Sequence, residues 1–208
     1  MMPRAVLALL AAVLVVMLLV SGWQPFDRAT WWMEVAPVLI ALPLLAFTLN
    51  RFPLTPLLYG LIFIHATILI VGGAYTYARV PFGFWIQDVL DLGRNPYDKI
   101  GHFAQGLVPM LLAREVLLRK GYATGTRIAG FLAICFAMAI SAWYELIEWG
   151  AALAMGQGAD EFLGTQGDAW DTQSDMFMAL LGALTSYVVL APLHDRQLGR
   201  FNRGQEGA

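Results

Sequence analysis

Gly164-Thr165-Gln166-Gly167-Asp168-Ala169-Trp170-Asp171-Thr172-Gln173-Ser174-Asp175-Met176 runs without a break into an apolar stretch over 176–193. That stretch reads as a membrane-spanning helix, since about 20 helical residues cross a hydrocarbon core of roughly 30 Å. Placed on one helix, Asp168, Asp171 and Asp175 fall at i, i+3 and i+7 and share a face. Asp168 is then nearest solvent, with Asp171 and Asp175 one and two turns deeper. Acids stacked at the mouth of a membrane helix are costly unless something compensates them. The rest of the chain is read as a search for that compensation.

The composition fits this reading. The 208 residues are 59% hydrophobic and only 13% charged, and the mean hydropathy is +0.62. Soluble domains are typically about half apolar and a quarter charged. The expected fold is therefore all-α, a polytopic membrane helix bundle that forms one integral domain over 1–208. A net charge of −2 leaves no basic footprint for nucleic acid, so no nucleic-acid partner is expected. The lone Cys135 excludes a disulfide framework within the chain and reads as a small packed residue.

Six stretches are long enough to span: 5–22, 31–50, 57–77, 100–118, 128–153 and 176–193. The first has no small-x-small cleavage site before Trp23 and is expected to be retained. Pro37 and Pro43 interrupt the second, and Trp31 and Trp32 at its start read as interfacial anchors. With both termini inside, nine Lys/Arg lie on the inner side and four on the outer, the bias that sets topology. Ten acids then lie outside, among them Asp160 and Glu161. Between spans three and four, residues 81–92 alternate bulky apolar residues with acids, the pattern of a short amphipathic helix on the outer surface.

Spans four and five carry the polar residues that could answer the aspartates. Asn95 suits an N-cap, Pro96 the first helical position and Asp98 the third. His102 follows Asp98 by one turn, so the carboxylate can orient the imidazole. Gln105 lies on the same helix, and span five brings Glu145 and Glu148 at i, i+3 with Ser141 one turn below. Two unit charges about 4 Å apart repel by roughly 4 kcal/mol at an effective dielectric near 20. Arg94 and Lys99 supply only two positives nearby. A divalent cation (zinc, manganese or magnesium) is the economical answer, because carboxylates plus one imidazole make a suitable ligand set. No HExxH-type spacing supports it, and protonated carboxylates are the competing answer.

The remaining polar residues read more simply. His65 is expected to be a hydrogen-bonded core histidine. His194 sits at the inner end of the last span, where it can meet the helix terminus. Arg114-Glu115 reads as an interfacial ion pair, and Gly72-Gly73 and Gly101…Gly106 as sites of close helix packing.

Three motifs carry a family resemblance: Arg94-Asn95-Pro96-Tyr97-Asp98-Lys99-Ile100-Gly101-His102-Phe103-Ala104-Gln105-Gly106, Trp143-Tyr144-Glu145-Leu146-Ile147-Glu148-Trp149, and 162–171 with Asp175-Met176. Through them nearly the whole chain resembles the YjdF family of bacterial inner-membrane proteins, which implies a multi-pass inner-membrane location. The Asp-x-x-x-His helix followed by acidic helices is also similar, more loosely, to VanZ-like membrane proteins. This chain departs from that pattern in carrying Glu-x-x-Glu as its second acidic motif.

The leading expectation is a metal-dependent hydrolase or transferase acting on a lipid-linked or cell-envelope substrate. His102, Glu145, Asp171 and Asp175 would bind metal, Glu148 would be the general base beside Asp98, and Gln105 and Asp168 would be peripheral. The alternatives are a proton- or cation-coupled transporter and a structural or accessory membrane protein. Against transport stand the lack of an inverted repeat and an inner half read as poor in intramembrane polar residues.

Overall fold

The computed structural model describes residues 2–155 and 166–206, and all regular structure among them is helical. Residues 156–165, which hold Asp160, Glu161 and the first part of the third motif, lie outside the described residues. Helix α1 (Arg4–Trp23) buries only Leu14 and Leu18 and turns Leu9, Val16, Leu19 and Val20 outward, as lipid solvation allows. The Arg28 guanidinium closes its end by donating to the Gly22 and Trp23 carbonyls. Helix α2 (Arg28–Thr48) starts at an N-cap, with Asp27 Oδ1 accepting from Thr30 N–H at 2.7 Å. Trp31 is no surface anchor. It is buried against α1 and α3, and its indole N–H donates to Ser21 Oγ at 3.0 Å, whereas Trp32 is exposed.

Helix α3 (Pro56–Tyr75) ends where Thr76 and Tyr77 take left-handed φ of 57° and 44°. That turn folds the Tyr77 ring back over Gly72 and Gly101, where any Cβ would meet it. These two glycines make room for an aromatic ring, and Gly73 packs on α2 beside Glu34. Residues 81–92 do contain a helix, α4 (Pro81–Leu90), ended by Asp91 in the left-handed region.

Helix α5 (Tyr97–Arg119) is the axis of the bundle, with α3, α6 (Thr126–Met155) and α7 (Asp171–Thr185) packed around it. Twelve of its 23 residues are buried, against two of 20 in α1. Among the described residues, five helical stretches are both long and apolar enough to span a membrane: α1, α2, α3, Thr126–Ala154 of α6, and the rod Asp171–Gly199. Helix α5 has the length but not the apolarity, because its neighbours screen it and its polar residues meet one another. Its start differs from the sequence reading. Pro96 occupies the cap position and the helix opens at Tyr97, while Asn95 Oδ1 accepts from Tyr97 N–H at 3.0 Å. Asp98 does not bond back to the cap but faces His102.

Helix α7 opens at Asp171, so Asp168 precedes the helix instead of sharing its face. Its backbone meets that of α5 directly. A Cβ at Gly106 would overlap the Ala179 carbonyl, and one at Gly182 the Phe103 carbonyl. A π-helical turn, Ser186–Leu190, continues α7 into α8 (Ala191–Glu206). The helix therefore does not stop near Leu193, and His194 is completely buried instead of lying at a terminus.

The end of the bundle near Arg119 is richer in buried polar groups than the sequence suggested. Arg114 and Glu115 are not an ion pair with each other. Arg114 reaches Asp195 at 2.8 Å and His194 Nδ1 at 3.2 Å, and His194 Nε2 lies 2.9 Å from Glu115 Oε2. Glu115 also accepts from the Thr55 N–H and hydroxyl and from Arg119. Ser186, buried in the π turn, and Ser141, buried in α6 one turn from Glu145, carry hydroxyls without hydrogen-bond partners.

Candidate functional site

At the opposite end of α5 the carboxylates converge. Lys99 inserts between two acids of α7, its Nζ 2.8 Å from Asp171 Oδ1 and 2.6 Å from Asp175 Oδ1, and donates to Ser174 Oγ at 2.5 Å. Arg94 completes the clamp at 2.5 Å from Asp171 Oδ1 and 3.4 Å from Asp168 Oδ2. Burial alone would lower the Arg94 guanidinium, but the hydrogen bond and charge of Asp171 hold it above its ordinary value. The two available cations are thus spent on the α7 aspartates. Among the described residues, no Lys or Arg lies within ion-pair distance of Glu34, Asp98, Glu145 or Glu148.

His102 stands between these two sets of acids. Gln105 Oε1 lies 3.2 Å from its Nδ1. An amide oxygen only accepts, so Nδ1 carries a proton and is tied down. Nε2 then faces Asp98 Oδ1 at 3.5 Å and Asp175 Oδ1 at 3.9 Å. Both gaps exceed the 2.7–3.2 Å of an N–H···O bond. They approach the roughly 3.4 Å that separates two ligand atoms held about 2.1 Å from one tetrahedral ion. Ligand atoms of Asp98, His102 and Asp175 all lie within 4.8 Å of one another, so the three can hold a metal ion. Asp98 Oδ2 and Glu145 Oε1 are buried there without a hydrogen-bond partner.

A cavity of about 20 Å³ adjoins the cluster, lined by Glu34, Asp98, His102, Tyr144 and Glu148 among others. That is room for a single water or ion. Glu34 comes from α2, where the Tyr144 hydroxyl donates to its Oε2 at 3.1 Å.

The sequence as a whole has known relatives. Residues 6–196 match the family described as predicted membrane protein, DUF2238. Inner membrane protein YjdF of Escherichia coli strain K12 is 63% identical over 191 residues, 92% of this chain and 91% of that protein. The chain belongs to the YjdF family. With its five apolar spans it is a multi-pass inner-membrane protein. No solved structure matches it.

In this YjdF-family chain the structure gathers Asp98, His102, Gln105, Glu145, Glu148 and Asp175 at one end of α5. Glu145 reaches the other side of the imidazole, its Oε1 3.7 Å from Nδ1. Asp171 is close by but held by Arg94 and Lys99, and Asp168 is the outermost acid, accepting from Trp170 N–H at 2.9 Å. Sequence reading missed Glu34, Tyr77 and Tyr144 as neighbours of His102. An acid one turn inside a membrane helix is a usable signal for Glu34. Tyr77 gave none, because only the left-handed turn at Thr76 and Tyr77 aims it inward.

Proposed function

We propose that this protein is a divalent-metal-dependent hydrolase or transferase of the inner membrane, acting on a lipid-linked or envelope substrate at the end of α5. The observation that carries this reading is the Nε2 face of His102, turned toward two carboxylates at more than hydrogen-bonding distance while Gln105 holds Nδ1. Asp98, His102 and Asp175 are the ligands in this proposal. Asp171 is the anchor of the Arg94–Lys99 clamp, and Glu145 is a carboxylate on the Nδ1 side. Zinc, manganese and magnesium all suit mixed oxygen and imidazole donors. A bound cation would polarise a substrate oxygen and lower the pKa of an attacking water. Glu148 lines the same small cavity and would receive that water's proton. Six spans with both termini inside, α5 included as the screened sixth, would put this cluster at the envelope side. The whole chain then forms one membrane domain in contact with lipid.

The test is elemental analysis of protein purified without chelator. Near-stoichiometric divalent metal is expected in the wild type, retained in Asp168→Asn and Asp171→Asn and lost in Asp98→Asn and Asp175→Asn. A wild type that stays metal-free after re-addition of zinc, manganese and magnesium overturns the reading.

A second reading, cation- or proton-coupled transport, draws on one observation. The buried Arg114–His194–Glu115 network puts titratable groups at the far end of the same bundle, while the unpartnered Ser141 hydroxyl lies one turn from Glu145 on α6. Cation-dependent flux in proteoliposomes that is abolished by Glu115→Gln would favour it over hydrolysis.

A further inference from the structure

Away from the carboxylate cluster, the bundle is hollow on its α1 side. An apolar cavity of about 380 Å³ lies between α1, α2 and α3, walled by leucines and alanines such as Leu10, Ala11, Leu14 and Leu42. A second space of about 210 Å³ adjoins it, and Arg4, Leu7, Leu49 and Tyr59 line both. An apolar cavity of about 150 Å³ already stays dry and takes up benzene. A larger one, empty, would deprive its lining of dispersion contacts. This space calls for an apolar occupant, and a bilayer supplies one.

Its shape selects which. From Arg4 to Leu14 the groove follows ten residues of α1, about 15 Å. That is half the roughly 30 Å hydrocarbon core, the depth of one leaflet. Spread over that length, about 380 Å³ gives a mean cross-section of roughly 25 Å², too narrow for a helix 10–12 Å across and wide enough for one hydrocarbon chain. The mouth is positively charged. Arg4 is exposed, bonds Asn50 Oδ1 at 3.0 Å and has no carboxylate partner among the described residues. Tyr59 Oη accepts from Leu54 N–H at 3.2 Å, which leaves its own proton to donate.

We infer that the groove between α1, α2 and α3 binds one acyl chain of an anionic phospholipid, with the headgroup phosphate held by Arg4 and Tyr59. The site is independent of the carboxylate cluster and of the direction in which the chain crosses the membrane. Its occupant is drawn from the leaflet at the Arg4 end.

Native mass spectrometry of the full chain, delipidated and then titrated with phosphatidylglycerol or phosphatidylcholine, tests this. The wild type is expected to retain one phosphatidylglycerol in preference to phosphatidylcholine. Arg4→Gln should lose that preference roughly fivefold, the weight of one basic residue facing an anionic lipid surface. Ala11→Trp, which fills the groove, should lose the tightly held lipid altogether. Ala12→Trp, one position round the helix and facing outward, should keep it. Circular dichroism and monodisperse elution check the fold of each variant, and Arg4→Gln changes only the exposed mouth. Equal retention of both lipids by the wild type overturns the proposal. So does lipid retention unchanged in Ala11→Trp, or a wild-type dimer that Ala11→Trp disperses.

Discussion

Lys99 Nζ lies 2.6 Å from Asp175 Oδ1, joining α5 to the second turn of α7 inside the bundle. The same ammonium reaches Asp171, so one cation offsets much of the charge that two acids bring to a membrane helix. Asp175 faces two ways, toward Lys99 and toward His102, and links the clamp to the Asp98–His102 cluster.

Removing Lys99 should therefore cost more than a surface ion pair. Its side chain is 18% exposed and those of both aspartates are under 10%. Lys99→Gln leaves the buried Asp175 without a cation and Asp171 with Arg94 alone, and a loss of roughly 3 kcal/mol is expected. It should appear as a lower melting temperature in detergent. Lys99→Gln combined with Asp175→Asn should recover part of the loss. Unchanged melting in the single variant would mean that the clamp contributes nothing to stability.

The contact between α5 and α7 predicts opposite outcomes for two glycine-to-alanine changes. Gly60 has nothing within 4 Å of a built Cβ, so Gly60→Ala should be neutral or mildly stabilising through helix propensity. Gly106→Ala drives a methyl into the Ala179 carbonyl and should destabilise by about 1–3 kcal/mol. Parallel thermal unfolding of the two variants checks the contrast.

The α2 cap should give the stability curve an acid component. Asp27 is held below its ordinary value of 3.8, first by the Thr30 N–H and then by the Thr30 hydroxyl. A carboxylate whose folded pKa is depressed stabilises above its unfolded pKa and loses that contribution as pH falls through the folded value. Asp27→Asn keeps a capping oxygen but removes the titration. The difference in melting temperature between wild type and Asp27→Asn should shrink below about pH 4. A constant difference from pH 7 to pH 3 would remove Asp27 from the acid response.

Most of the architecture was legible because lipid imposes length and apolarity on whatever faces it. Helices α1, α2, α3 and α6 and the final rod announce themselves in that way. Helix α5 was read as a fourth apolar span over 100–118, whereas it is more polar than the others and stays so because its neighbours screen it. His102, Glu145 and Asp175 were found as ionisable groups where hydrocarbon should be. The division of labour among the aspartates was not legible. It depends on Lys99 reaching across to α7 and on α7 starting only at Asp171. The Arg114 network was hidden too, because adjacent opposite charges suggest a local pair and the partner histidine lies 80 residues away.

Orientation is the next measurable consequence. With nine Lys/Arg assigned inside and four outside, a reporter fused after Arg203 should behave as cytoplasmic. One inserted within 159–164 should behave as external. The reverse pattern would turn the carboxylate cluster toward the cytoplasm and remove the envelope substrate from the proposed function.

The Arg114 network allows a sharper test, because its proton placement is forced. Arginine only donates, so the guanidinium 3.2 Å from His194 Nδ1 makes that nitrogen an acceptor. The ring proton then resides on Nε2 and points at Glu115 Oε2, 2.9 Å away. Glu115 also anchors the start of α3 by accepting from Thr55 N–H, so one carboxylate ties α3, α5 and α8 together. Glu115→Ala strands the Thr55 N–H and the His194 Nε2–H at once, where Thr55, Glu115 and His194 are all completely buried, and removes the carboxylate partner of Arg119. A loss of about 3–5 kcal/mol is expected, enough to abolish folding of a marginal membrane protein. The gentler check is nitrogen NMR of labelled histidine in the wild type, with His194→Gln assigning the signal. The Nε2–H tautomer is expected for His194. A ring proton on Nδ1 would contradict the Arg114 contact and with it the Arg114–His194–Glu115 network.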